Sequence, residues 1–117
     1  MEIGNITVDC VDPTPLRDFW AAALGYVAEG EGLGWASARP AQPRLPRLYF
    51  QRVPESKVAK NRWHLDLNAA DMGAAVDRLE ALGAVRGRLF AENGDRWTTM
   101  LDPEGNEFCV QPAERVG

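Results

Sequence analysis

The chain has 117 residues, 45% of them hydrophobic and 26% charged, which is the composition of one globular domain with a core of its own, so disorder is not the default reading. A net charge of −4 argues against a nucleic-acid binder, which presents a basic face to phosphates. No apolar run approaches the ~20 residues needed to span a bilayer, and Met1-Glu-Ile-Gly-Asn5 lacks the basic start and apolar stretch of a signal peptide, so a cytoplasmic location is expected.

In chain order, Ile6–Cys10 reads as a short strand, and Asp12-Pro13 as a helix N-cap followed by proline in the first turn. Leu16, Phe19, Trp20, Ala23 and Leu24 then make a helical stripe, which Gly25 closes. Strand-like pieces follow at Tyr26–Glu29, Gly34–Ala38 and Arg47–Gln51, with an irregular, proline-rich loop at Pro40–Pro46. Lys57–Arg62, basic residues flanked by acidic and polar ones, reads as a solvated connector and not as an anion site.

The second half replays the first. Trp63–Leu67 is strand-like, and Asp71 caps a helix with Met72, Ala75, Val76, Leu79 and Leu82 on its apolar side, closed by Gly83. Strand-like pieces follow at Val85–Leu89, Arg96–Leu101 and Glu107–Gln111, with a tight turn at Asp102-Pro-Glu-Gly105. Asp12 and Asp71 lie 59 residues apart, and the same offset sets Asn5 over His64. The expected fold is α+β: two tandem βαβββ modules, about 1–56 and 61–115 of a single domain over 1–117. A curled mixed sheet would surround a cleft, with the helices outside. Neither half is expected to bury its own sheet face, so a shared core is anticipated.

Strand alternation sorts the candidate site residues. Asn5, Thr7 and Asp9 share a face, as do His64, Asp66 and Asn68, and Glu107, Cys109 and Gln111. Carboxylates on a concave sheet face are solvated, paired or functional. Asp9, Asp66 and Glu107 are therefore singled out, with pairing to Arg47, Arg52 or Arg62 as the competing explanation. His64 is the chain's one histidine, and three readings stand for it: hydrogen-bonded in the core or cleft, in contact with a ligand, or bound to metal. Trp35 and Trp97 hold similar places in their halves, and Tyr49, Phe50 and Trp63 sit on or beside cleft strands. Aromatics there suit a planar or apolar ligand, while core packing is the plainer role. Trp20 belongs to the packed helix stripe. Cys10 and Cys109 form no disulfide framework and are expected as buried free thiols.

The duplicated plan, the opening Val11-Asp12 … Phe19-Trp20 … Leu24-Gly25-Tyr26 and the closing Asp102-Pro-Glu-Gly-Asn106-Glu-Phe108 resemble the glyoxalase/bleomycin-resistance/extradiol-dioxygenase (vicinal oxygen chelate) superfamily. That resemblance implies a cleft in which enzymes of the family hold a divalent metal, with one ligand from the first and one from the last strand of each half. It also implies homodimers and small-molecule ligands, with no nucleic-acid or membrane partner. Carried over by position, the ligand set becomes Asn5, Tyr49 or Phe50, His64 and Cys109. That set departs from the family pattern, so no cofactor is expected; a metal, if present, would fall to His64 and Cys109. The leading expectation is a metal-independent small-molecule binder contacting its ligand through Asn5, Thr7, Asp9, Trp35, Tyr49, Gln51, His64, Trp97, Cys109 and Gln111. The alternatives are a lyase, isomerase or dioxygenase, either with a rearranged metal site or with His64, Asp66 and Glu107 as acid and base, and a plain interaction domain.

Overall fold

A computed structural model describes residues 1–113; the expected end of the second module at 115 lies outside them. The elements run β1 (Asn5–Cys10), α1 (Pro13–Leu24), β2 (Val27–Gly32), β3 (Trp35–Arg39) and β4 (Arg47–Arg52), then β5 (Asp66–Ala69), α2 (Met72–Ala81), β6 (Val85–Glu92), β7 (Asp95–Leu101) and β8 (Glu107–Pro112). They form two compact units, Met1–Lys57 and Val58–Gly117. Each is one βαβββ module, and no helix among the described residues is long and apolar enough to cross a membrane.

In the first module the strand order is β1-β4-β3-β2; in the second it is β5-β8-β7-β6. The first and last strands of each module pair in parallel and the others antiparallel, so each sheet is mixed and open. A parallel pair needs a long crossover, and the helix together with the two middle strands supplies it.

Each helix covers one face of its own sheet. Alternate residues Ala36, Ala38, Leu48 and Phe50 are buried with Leu16, Phe19, Trp20 and Ala21 of α1. In the second module Met100, Phe108 and Val110 are buried with Val76 and Leu79 of α2. The expectation that neither half can bury its own sheet face is thus corrected for the helix-side face, because one amphipathic helix suffices to seal the apolar alternates of four short strands.

The helix ends follow the sequence with two refinements. Asp12 takes the extended N-cap conformation ahead of Pro13 but makes no side-chain capping bond, whereas the Asp71 carboxylate accepts the Ala74 N–H at 3.0 Å. Leu82 is the C-cap of α2 and not a member of its stripe. Gly25 closes α1 in the left-handed conformation, at φ 70°. The strand expected at Trp63–Leu67 begins only at Asp66. Asn61 anchors the chain before it, donating its N–H to Glu107 Oε2 (2.9 Å) and its side-chain amide to the Glu107 carbonyl (3.0 Å), and Trp63 is 91% exposed.

Two arginines tie helix to sheet edge, from opposite sides. Arg17 on α1 is buried and donates to the carbonyls of Gly30 (2.9 Å) and Ser37 (3.1 Å) and to Asp18 and Glu31. In the second module Arg86 on β6 reaches back to Asp77 (2.5 Å) and Glu80 (2.7 Å) of α2. Replacing Arg17 with Ala leaves two carbonyls without their donor, and urea denaturation is expected to show a loss of roughly 1.5–3 kcal/mol. An unchanged midpoint would mean that water replaces the guanidinium without penalty.

Candidate functional site

The face of each sheet turned away from its helix carries the residues that alternation assigned to it. In the first module, register sets Asn5 beside Arg47, Thr7 beside Tyr49 and Asp9 beside Gln51, with Trp35 across from Gln51 on the other side. Gln51 Nε2 donates to Asp9 at 2.8 Å, and Trp35 stacks on Tyr49 with centroids 5.9 Å apart and planes 8° from parallel. Tyr49, Gln51, Asn5, Thr7 and Asp9 therefore share one surface. Phe50 is on the opposite face and fully buried, so of the two residues offered for that ligand position only Tyr49 is accessible.

The second module repeats this pattern and adds to it. Gln111 Nε2 donates to Asn68 at 2.9 Å, the counterpart of the Gln51–Asp9 pair, and Trp97 stacks on Phe90 at 5.3 Å and 10°. The Arg88 guanidinium sits 4.9 Å from the Phe90 centroid. A bulge between Arg86 and Leu89 makes this possible: a side chain at Gly87 would fall 2.6 Å from the Thr99 carbonyl, so only glycine fits. The β6–β7 hairpin turns on Asn93-Gly94, both at positive φ (53° and 83°), a dipeptide that is itself a hairpin signal in the sequence.

His64 lies just before β5, and the register Asp66↔Cys109 brings three side chains together. His64 Nδ1 is 2.9 Å from Asp66 Oδ1, and one donor atom from each of His64, Asp66 and Cys109 lies within 4.8 Å of the others. Burial pushes the Cys109 thiol up, and the charge and hydrogen bond of Asp66 push it further; Lys60 acts weakly the other way. Cys109 is half-buried and open to this face, so the expectation of a buried thiol holds only for Cys10, which is 3% exposed. Glu107 is not part of the cluster, since its carboxylate is held by Asn61. Neither do arginines supply the partners named for the other two carboxylates: Asp9 takes Gln51, Asp66 takes His64, and Arg47 pairs with Glu29 at 2.8 Å. Trp63 belongs to no cleft strand.

This face of the second sheet forms a groove of about 750 Å³. Trp97 and Phe90 give it an aromatic wall, while His64, Asp66, Cys109 and Gln111 supply polar groups, with Lys60 at its edge. A site of that size, mostly apolar with a few convergent polar groups, has the character of a small-molecule pocket.

The order of the cluster limits its chemistry. A nucleophilic cysteine needs a base against its sulfur, but here the carboxylate stands between thiol and imidazole and favours the protonated thiol. The hydrogen bond at Nδ1 places the neutral ring's proton there and leaves Nε2 as the acceptor. The four positions to which the family's ligands carry over hold an amide, a phenol, an imidazole and a thiol. That set does not fit the hard divalent ions that carboxylates and imidazoles bind, and no catalytic step is derived through it.

A glyoxalase-like domain family matches residues 5–111. A glyoxalase/bleomycin resistance protein/dioxygenase family enzyme from Burkholderia phytofirmans has the same fold, with TM-score 0.80 and 12% identity over 97% of this chain and 100% of that one. A variant of the genomically encoded fosfomycin resistance protein of Listeria monocytogenes, complexed with Mn(II) and 1S,2S-dihydroxypropylphosphonic acid, matches with TM-score 0.78 and 13% identity over 97% and 90%. The bleomycin-binding protein of Streptomyces verticillus, complexed with copper(II)-bleomycin, matches with TM-score 0.63 and 18% identity over 97% and 98%. A search among curated proteins finds no match.

Asp66→Asn removes the charge that helps to hold the thiol protonated. The Cys109 pKa should fall toward its ordinary value, and alkylation by iodoacetamide at pH 8 should run severalfold faster than in the parent, followed by mass spectrometry at Cys109. An equal or slower rate would mean that the carboxylate does not govern the thiol.

Proposed function

The chain belongs to the glyoxalase-like domain family, and from that premise we propose that it is a small-molecule-binding protein whose ligand lies in the groove of the second module. The carrying observation is the groove itself, about 750 Å³ with an aromatic wall and a polar floor. Its volume falls within the roughly 300–1,000 Å³ of ordinary ligand sites. The Trp97–Phe90 pair offers broad apolar contact at little conformational cost, because two stacked rings hold each other in place. His64, Asp66 and Gln111 supply the hydrogen-bonding groups that fix orientation. Structural relatives hold small molecules, a metal–bleomycin complex in one and a phosphonate with manganese in another. The ligand proposed here is a planar organic molecule with at least one polar group, and the matching face of the first module, with Asn5, Thr7, Asp9, Trp35, Tyr49 and Gln51, is a ligand-contacting surface in its own right. The working form is a cytoplasmic homodimer.

A second reading rests on the 2.9 Å contact between His64 Nδ1 and Asp66. An imidazole oriented by a carboxylate, with Nε2 free, is the arrangement of a general base, and a lyase or isomerase would use it to take a proton from a bound carbon or oxygen acid.

Screening planar aromatic ligands by tryptophan fluorescence and thermal shift, with a chelator present, tests the binding reading. A ligand bound in this groove should lose roughly 30-fold in affinity, about 2 kcal/mol, in Trp97→Ala. A ligand that binds the parent and Trp97→Ala equally would sink this placement. Turnover of the ligand that survives intact folding but disappears in His64→Ala would select the enzymatic reading instead.

A further inference from the structure

We propose that Arg88 makes the groove of the second module selective for planar organic anions, an inference that rests on the reading of that groove as a ligand site. The sheet order β5-β8-β7-β6 spreads the chemistry of this face from one edge to the other. Asp66, with His64 against it, stands on β5, whereas Arg88 and Phe90 stand on β6. Three strand spacings, about 14 Å, separate those edges. Trp97 on β7 stacks on Phe90, and the Arg88 guanidinium lies 4.9 Å from the Phe90 centroid. A planar ligand laid along the Phe90–Trp97 wall therefore has a cation at one end, with the Asp66 carboxylate on the far side of the sheet.

In an unbroken strand, residues 86, 88 and 90 would share one face. Across the register shift between Arg86 and Leu89 the two arginines part company. Arg86 reaches Asp77 and Glu80 of α2, on the helix side, while Arg88 lies over Phe90, which lines the groove. Thr99 clasps the backbone there: its hydroxyl accepts the Arg88 N–H at 3.1 Å and donates to the Arg88 carbonyl at 3.3 Å. Arg86 thus has two carboxylates, and Arg88 has none among the described residues. The acids of the groove are engaged elsewhere, Asp66 with His64 Nδ1 and Glu107 with the Asn61 N–H. Lys60, the other cation of the groove, acts on Cys109 beside Asp66 and so offsets the acidic end. The charge left at the aromatic wall is the guanidinium. Lying over a ring, a guanidinium keeps its N–H edges open to a carboxylate, which it takes through two parallel hydrogen bonds.

The test is a calorimetric titration of the full-length protein, at neutral pH, with three probes that share one ring system: 2-naphthoate, 2-naphthamide and 2-naphthylmethylammonium. The parent should bind 2-naphthoate about 5–10-fold more tightly than the uncharged amide or the cation, and added salt should narrow that gap. Arg88→Gln should erase the preference and Arg88→Lys should keep part of it, with circular dichroism confirming that both variants are folded. An amide or ammonium probe that binds the parent as tightly as 2-naphthoate would overturn the proposal. So would an Arg88→Gln variant that weakens all three probes alike, since Arg88 would then only prop the aromatic wall. Trp97→Ala tells this inference from the reading beneath it. If it weakens the probes while the anion enjoys no preference, the groove stands and the anion selectivity falls. If it weakens none of them, the groove reading falls and this inference falls with it.

Discussion

Each four-stranded sheet in this protein is supplied with one helix, and a sheet has two faces. The helix takes the apolar alternates: Leu48 and Phe50 under α1, Phe108 and Val110 under α2. The other alternates are thereby released from core duty and carry amides, carboxylates, an imidazole and stacked aromatic pairs. The same division of labour holds in both modules, which is why the Gln51–Asp9 and Gln111–Asn68 pairs recur at equivalent places, while Trp35 stacks on Tyr49 of β4 and Trp97 stacks toward the other side, on Phe90 of β6. Parallel pairing of the first and last strands then makes neighbours of residues more than 40 positions apart, Asp66 and Cys109 among them.

From that common plan the modules diverge chemically. The first keeps Asn5, Thr7 and Asp9 on its opening strand; the second has His64, Asp66 and Asn68 in the matching places. The bulges differ in consequence too. In the first module the irregularity between Ala28 and Gly30 presents the Gly30 carbonyl to the buried Arg17. In the second, the shift between Arg86 and Leu89 falls at Gly87, just before Arg88 and Phe90, whose guanidinium and ring lie 4.9 Å apart. One irregularity lies where the helix is tied down, the other along the groove of the second sheet.

The repeat, the helix ends and the face to which each strand residue belongs were legible because they depend on local rules: caps, period-two alternation, and turn residues. Asp102 illustrates how far such rules reach. Buried in its turn, it accepts the N–H groups of Glu104 and Asn106 as well as the Asn106 side chain, so the Asp-Pro-Glu-Gly-Asn run specifies its own geometry. What was hidden depends on tertiary register. Alternation placed His64, Asp66 and Cys109 on one face but gave no reason for Asp66 to stand against Cys109 rather than two residues along, beside Glu107 or Gln111. Glu107 lines the same groove, but its carboxylate accepts the Asn61 N–H and it stands outside the His64–Asp66–Cys109 cluster, a difference that alternation does not foretell. Arg17 was invisible because an arginine on an amphipathic helix ordinarily points to water, and nothing local signals two carbonyls waiting for it.

The position of Asp66 decides which chemistries remain open. Burial and the neighbouring Asp66 carboxylate both favour the protonated thiol of Cys109, which counts against a cysteine nucleophile paired with His64. The same carboxylate holds the imidazole through Nδ1, at 2.9 Å. A carboxylate at position 66 serves both contacts: an amide would give up the charge that favours the protonated thiol, and an aliphatic side chain would leave His64 unoriented and Cys109 without its hydrogen-bond acceptor.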